Sequence, residues 1–171
     1  MIKKTSKNSI KNAKKKSAKK IVVSGGFDPV HVGHVRMFDA AKKLGDHLVV
    51  ILNNDNWLKK KKGYVFMPEA ERMEIIGKFR SVDEVMLSLH PENPVDMSVC
   101  AELRAIRPHI FANGGDRVLT NIPEVPVCEE IGAKMIFSIG HGGKVQSSSW
   151  LVEKLTTEKE KLAQKNKLEQ K

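Results

Sequence analysis

Short apolar runs alternate with helix-like segments from residue 20 to the end of the chain. Five runs rich in β-branched residues predict strands, at residues 21–23, 47–52, 84–87, 109–112 and 134–137. Helical patterns follow them, at residues 32–44, from 68, at 94–106 and 123–131, and from 148. Such alternation is typical of parallel strands joined by right-handed crossover helices. The sequence therefore predicts a single α/β domain with a doubly wound, five-stranded parallel sheet.

Three polar, glycine-rich segments fall at the carboxyl ends of predicted strands. They cover residues 24–34 after the first strand, 113–117 after the fourth and 138–147 after the fifth. In doubly wound sheets of this Rossmann-like type, ligands bind beyond the carboxyl ends of the strands. We therefore expect the three segments to meet in space and to form one ligand site.

The first of these segments combines glycines with two histidines. Gly25 and Gly26 let the backbone approach phosphates without a Cβ in the way. The helix that follows presents unpaired amides and a partial positive charge to an anion. His31 and His34 lie three residues apart, so they share one helical face and can donate hydrogen bonds to phosphoryl oxygens. This turn predicts a site for a nucleoside triphosphate.

Other phosphate-binding and metal-binding patterns fit the chain less well. A P-loop requires a Ser or Thr after its lysine, whereas Gly142-Gly143-Lys144 is followed by Val145. The dinucleotide fingerprint G-x-G-x-x-G is absent from the first turn. His31 and His34 have no carboxylate or thiol motif of matching spacing, which disfavours a metal centre.

The positive charge of the chain is concentrated at its ends. The net charge is +10, but residues 21–150 carry 15 basic and 16 acidic side chains. Residues 1–19 are expected to form a disordered basic tail, residues 20–155 the folded domain, and residues 156–171 a charged C-terminal helix or tail. Residues 1–20 contain nine lysines. The N-terminal tail is therefore either a solvated, disordered extension or a contact for polyanions such as RNA.

The cysteine content and the apolar runs bear on location. Cys100 and Cys128 lie far apart in apolar-patterned segments, which predicts buried structural thiols and is consistent with a reducing, cytoplasmic setting. The apolar run after the basic start is too short for a secretory signal. No stretch has the length needed to span a membrane.

The run from Gly25 to His34 resembles the HxGH signature of the nucleotidyltransferase superfamily. Later segments extend the resemblance to its cytidylyltransferase-like branch, over roughly residues 20–155. The matching segments are Gly45-Asp46-His47, Lys59-Lys60-Lys61-Lys62-Gly63, Pro68-Glu69-Ala70-Glu71-Arg72, Phe111-Ala112-Asn113-Gly114-Gly115-Asp116 and Gln146-Ser147-Ser148-Ser149.

The resemblance implies a role for each matching position. The expected catalytic residues, which stabilise the charge of the phosphoryl groups, are His31, His34, Lys62 and Arg72. The expected nucleotide-binding residues are Gly25, Gly26, Phe27, Asp28, Gly33, Lys60, Gly114, Gly115, Asp116, Ser147 and Ser148. The lysines are placed on a mobile loop. The resemblance further implies Mg²⁺ as the cofactor and a homodimer.

Within the branch, the segments from Asn113 to Asp116 and from Gly132 to Lys134 are most similar to the adenylyltransferase domain of heptose-phosphate enzymes. This similarity implies transfer of AMP from Mg-ATP to a small phosphorylated metabolite of the sugar- or polyol-phosphate type. A CTP-dependent glycerol-3-phosphate cytidylyltransferase and an FAD synthetase-like enzyme are alternatives. Against CTP, the R-T-x-G-I-S-T motif of those enzymes is replaced by residues 142–148. A non-catalytic nucleotide- or RNA-binding protein that uses the basic tail is the alternative of another class.

Overall fold

The computed structural model describes residues 18–115, 122–140 and 147–169. Its elements are β1 (Lys20–Gly25), α1 (Val32–Lys42), β2 (His47–Leu52), α2 (Asp55–Lys62), α3 (Glu69–Gly77), β3 (Glu84–Leu87), α4 (Cys100–Ile106), β4 (Ile110–Gly114), α5 (Val125–Ile131), β5 (Lys134–Ile139) and α6 (Ser148–Glu169). The strands form one parallel sheet in the order β3-β2-β1-β4-β5. The predicted doubly wound, five-stranded α/β fold is confirmed.

Two apolar layers cover the sheet, one on each face. Alternate residues of β1 and β2 pack against Phe38 of α1 and Ile76 of α3 on one face. The residues between them pack against Leu103 of α4 and Val127 of α5 on the other. Burial of both faces explains why β2 reads as a continuous apolar run. The strand order reverses between β1 and β4, which opens a crevice at their carboxyl ends.

The lysine-rich segment forms a helix, which corrects the predicted mobile loop. The side chain of Asn54 caps α2 by accepting a hydrogen bond from the backbone N–H of Trp57 at 3.0 Å. Leu58 is fully buried and anchors the helix to the core. The four lysines occupy the last turn, where positive charge is favourable, and Gly63 ends the helix in the left-handed conformation with φ +82°. These local signals favour a helix over a loop.

Other element bounds also differ from the prediction. The helix predicted at 94–106 begins only at Cys100, because Ser98 is held by Asp96 and by the ring of His90 in a non-helical turn. The first, fourth and fifth strands extend beyond their predicted carboxyl ends. Helix α1 ends at Lys42, and a Cβ on Gly45 would come within 2.1 Å of Ile21 Cδ1, so this turn requires glycine.

Residues 1–17, and with them most of the predicted basic tail, lie outside the described residues, whereas α6 continues without a break past residue 155. Cys128 is buried as predicted, and Cys100 is half-buried. Among the described residues, no helix is both long enough and apolar enough to cross a membrane.

Candidate active site

A cavity of about 310 Å³ opens at the carboxyl edge of the sheet, over the ends of β1, β4 and β5. Its lining includes the predicted residues Gly25, Gly26, Phe27, His31, Gly33, His34, Lys62, Gly114, Gly115, Ser147 and Ser148. Each of the three glycine-rich segments contributes to this lining. Their predicted convergence is therefore confirmed, within the residues that the structure describes.

The two histidines form a capping box at the start of α1. Nδ1 of His31 accepts a hydrogen bond from the backbone N–H of Gly33 at 3.1 Å. Nδ1 of His34 accepts one from the backbone N–H of His31 at 3.3 Å. The rings stack with centroids 3.7 Å apart and an angle of 26° between their planes. The ring of Phe27 packs edge-on against His34 at 5.0 Å, which holds the pair in place.

These bonds determine which ring nitrogen carries the proton. A nitrogen that accepts a backbone hydrogen bond has no proton of its own, so a neutral imidazole held in this way is protonated at Nε2. Burial, the charge of His31 and the charge of Lys62 lower the pKa of His34 to about 3. Burial and Lys62 also lower the pKa of His31. Both rings are therefore neutral at pH 7, and each keeps one Nε2–H donor for a ligand.

Two helix N-termini meet at the same cavity. Gly33 and His34 of α1 line it, as do Ser147 and the first residues of α6. The hydroxyl of Ser148 donates to the carbonyl of Pro29 at 2.9 Å, which joins α6 to the turn before α1. Neither first turn contains an acidic residue, whereas those of α2 and α3 contain Asp55 and Glu69. Acidic residues therefore do not neutralise the positive ends of these two helix dipoles, which can stabilise an anionic ligand.

Lys62 places a positive charge beside the histidines. Its Nζ donates to the backbone carbonyl of Asp28 at 2.6 Å. Burial is the main influence on its pKa, which is lowered; the carboxylate of Asp28 opposes this effect and the charge of Arg72 adds to it. Lys60, on the same helix, is exposed and does not line the cavity. The structure therefore separates two lysines that the sequence assigns together to the nucleotide.

Asp28 lies behind the cavity wall and not in its lining. Its carboxylate is fully buried and accepts hydrogen bonds from the backbone N–H groups of Phe66 and Met67, at 2.8 and 2.7 Å. Because both oxygens are engaged and no surface is exposed, the expected nucleotide contact is replaced by a positioning role. Asp28 connects the turn before α1 to the segment between α2 and α3.

Arg72 is also buried behind the wall, which corrects its expected contact with phosphates. Its guanidinium donates to the carbonyls of Gly26, Asn53 and Met67, at 2.6 to 2.8 Å. It also forms an ion pair with Asp55 at 2.6 Å. Arginine offers several donors in a rigid plane, so one side chain can hold three backbone segments together. Arg72 thereby positions the turn at Gly25 and Gly26, the glycine turn, from behind the cavity wall.

Six lining residues are not among the individually predicted site residues. They are Ser24, Arg36, Met37, Ile139, Gly140 and Ser149. Met37 lies four residues after Gly33 and three after His34, so it shares their helical face and helical spacing could have identified it. Ser24, Ile139 and Gly140 lie within the glycine-rich segments that the sequence predicts to form the site, although they are not predicted individually. Asp116, the predicted ribose contact, lies outside the described residues.

Comparison with known proteins identifies the family. Residues 22–139 match the family model described as cytidylyltransferase-like. The chain belongs to this family. Solved structures with a similar fold include a lipopolysaccharide core biosynthesis protein from Thermoplasma volcanium, with a TM-score of 0.59 and 22% identity over 73% of this chain and 99% of that one. At this identity the likeness supports the fold alone.

Curated relatives of this cytidylyltransferase-like protein include FAD synthases and bifunctional HldE proteins. The FAD synthase of Pyrococcus horikoshii is 35% identical over 99 residues, which are 57% of this chain and 64% of the relative. The bifunctional protein HldE of Salmonella arizonae is 31% identical over 161 residues, which are 91% of this chain and 31% of the relative. HldE of Gluconobacter oxydans is 34% identical over 121 residues, or 70% and 24%. The chain thus spans less than two thirds of the length of each of these relatives.

Proposed function

We propose that this cytidylyltransferase-like protein transfers AMP from Mg-ATP to a small phosphorylated metabolite and releases pyrophosphate. The stacked pair of His31 and His34 carries this proposal. Its two Nε2–H donors belong to neutral rings whose orientation is set by backbone hydrogen bonds, at a cavity where two helices begin. Preorganised donors of this kind stabilise charge that develops in a transition state.

The proposed reaction is a direct displacement at the α-phosphorus. An oxygen of the acceptor phosphate forms the new bond to phosphorus, and the bond from phosphorus to the α,β-bridging oxygen breaks. Pyrophosphate leaves with the electron pair of that bond. His31 and His34 donate hydrogen bonds to the phosphoryl oxygens, and Lys62 neutralises charge on the departing phosphates. The chain contributes by orienting reactants and by stabilising charge.

Mg²⁺ enters the proposal together with the triphosphate. This ion prefers six oxygen ligands, retains several waters and commonly takes substrate phosphates as ligands. Among the described residues, the cavity lining contains hydroxyl groups but no carboxylate. We therefore assign the ion to Mg-ATP, with Lys62 and the helix N-termini balancing the remaining negative charge.

The choice of substrates rests on resemblance and on the named relatives. Similarity to the heptose-phosphate adenylyltransferase domain supports ATP with a sugar- or polyol-phosphate acceptor. The FAD synthase relatives support FMN as a second acceptor class. A homodimer and a cytoplasmic location stay predictions.

The test is pyrophosphate release by the full chain with each of four Mg-nucleoside triphosphates. Acceptors are sugar 1-phosphates, glycerol 3-phosphate and FMN, each against a reaction without acceptor. We expect acceptor-dependent release with ATP, and its loss in His31→Asn, which keeps a capping oxygen but removes the Nε2 donor. Release with CTP and glycerol 3-phosphate would replace the adenylyl assignment. Absence of release with every pair, while ATP still binds, would contradict the enzymatic proposal and favour a binding protein.

A further inference from the structure

The side chains that line the cavity differ from one side to the other. The imidazoles and Lys62 lie over the end of β1. Over β4 and β5 the lining consists of Met37, Gly114, Gly115, Ile139 and Gly140. Neighbouring strands lie about 4.8 Å apart, so β1 and β5 are separated by roughly 10 Å. A nucleoside triphosphate whose phosphates occupy the first side therefore carries its base over the second.

Glycine backbone forms a wall on this second side. A Cβ on Gly114 would come within 2.6 Å of Met37 Sδ. Gly140 has φ +85°, and a Cβ there would come within 3.1 Å of Met37 Cα and 3.5 Å of the carbonyl carbon of Arg36. The second turn of α1 thus packs directly against the end of β5. Gly114, Gly115 and Gly140 add no side chain to this part of the lining, so the face of an aromatic ring can approach their backbone closely.

Arg36 is the charged side chain on this side. It is exposed, it lines the cavity, and it has no hydrogen-bond or ion-pair partner among the residues that the structure describes. A base resting on the glycine wall would leave its other face to water. The guanidinium is planar and weakly hydrated, so it can cover such a face by stacking.

We propose that Arg36 stacks on the base of the bound nucleotide and holds it against the wall formed by Gly114, Gly115 and Gly140. This inference rests on the proposed function, because the phosphates determine where the base lies. It assigns Arg36 to nucleotide affinity and leaves charge stabilisation to His31, His34 and Lys62. A lysine cannot replace it, since an ammonium group is a compact and strongly hydrated charge with no plane to stack.

The test compares two probes on four proteins by calorimetry. The probes are Mg-ATP and inorganic Mg-tripolyphosphate, which has no base. The proteins are the wild-type chain, Arg36→Met, Arg36→Lys and Arg80→Met. Arg80 is a matched control, because it is exposed and lies outside the cavity lining. We expect both Arg36 variants to weaken Mg-ATP binding about tenfold, with tripolyphosphate affinity within twofold of wild type.

Other outcomes overturn the inference in distinguishable ways. Recovery of Mg-ATP affinity in Arg36→Lys, or an equal loss of tripolyphosphate affinity, would place Arg36 on the phosphates. Unchanged Mg-ATP affinity in Arg36→Met would show that the guanidinium is only solvated. In either case wild-type binding and turnover persist, so the proposed function survives. A wild-type chain that binds neither probe would contradict the proposed function, and this inference would fail with it.

Discussion

The backbone N–H of His31 donates to Nδ1 of His34 at 3.3 Å, while the two rings stack 3.7 Å apart. The two nitrogens of the His34 ring therefore have different roles. Nδ1 caps the helix, and the Nε2–H group remains available to a ligand in the cavity. The cap satisfies backbone donors that the first turn of a helix leaves unpaired. It also fixes the tautomer, so the site is organised before any ligand arrives.

A substitution that removes the Nε2 donor of His34 but keeps the helix cap should lower activity without lowering stability. His34→Asn retains an acceptor near the Nδ1 position and loses the Nε2 donor. We expect its turnover to fall by roughly two to three orders of magnitude, the scale for one charge-stabilising donor, with a melting temperature near that of wild type. His34→Ala should lose the cap as well, at about 1 kcal/mol of stability. Pyrophosphate release and thermal melting are the measurements; near-normal turnover in His34→Asn would exclude the assigned role.

Acid should destabilise the fold through His34. Its folded pKa, about 3, lies below the unfolded value of 6.5, so the unfolded chain binds more protons below pH 6.5. Stability then falls as the pH is lowered from 6.5, by up to about 2 kcal/mol at pH 5 from this group. Urea denaturation at pH 7.5 and pH 5 measures the loss. The loss should be smaller in His34→Asn, and equal losses in both proteins would refute this origin.

Removal of Arg72 should disorder the glycine turn. Arg72→Met leaves the carbonyls of Gly26 and Asn53 without their donor, and Asp55 without its ion-pair partner. We expect a destabilisation of about 3 kcal/mol, as for a broken buried pair, together with weaker ATP binding. Denaturant unfolding and calorimetry provide the two readouts. A direct phosphate contact would instead predict a loss of affinity with little change in stability.

Lys62 and Lys60 form a matched pair on one helix. Lys62→Met removes the cation that lines the cavity, whereas Lys60→Met removes an exposed charge outside it. We expect kcat/KM for Mg-ATP to fall roughly a hundredfold in the first variant and to stay within twofold in the second. Steady-state kinetics at two salt concentrations give the comparison. Equal losses would mean that the whole lysine turn contacts the triphosphate.

Local sequence signals were sufficient for the architecture and for part of the site. The alternation of apolar runs predicts the parallel sheet because strand and helix periods are properties of short segments. The glycine turn with His31 and His34 predicts an anion site because helix capping, helical spacing and backbone access are also local. The loop predicted for the lysine segment is wrong. A charged run resembles a solvated loop, but the cap formed by Asn54 and the burial of Leu58 stabilise a helix.

Local patterns in the sequence are enough to predict the fold class, the carboxyl edge of the sheet as the ligand side, and the histidine pair at that edge. Which charged side chains line the cavity depends on tertiary packing. Arg72 and Asp28 turn inward because their polar atoms satisfy backbone groups from distant segments. Lys62 and Arg36 line the cavity because α2 and α1 pack beside the carboxyl edge of the sheet. Such choices depend on contacts between residues far apart in the chain, and no local pattern encodes them.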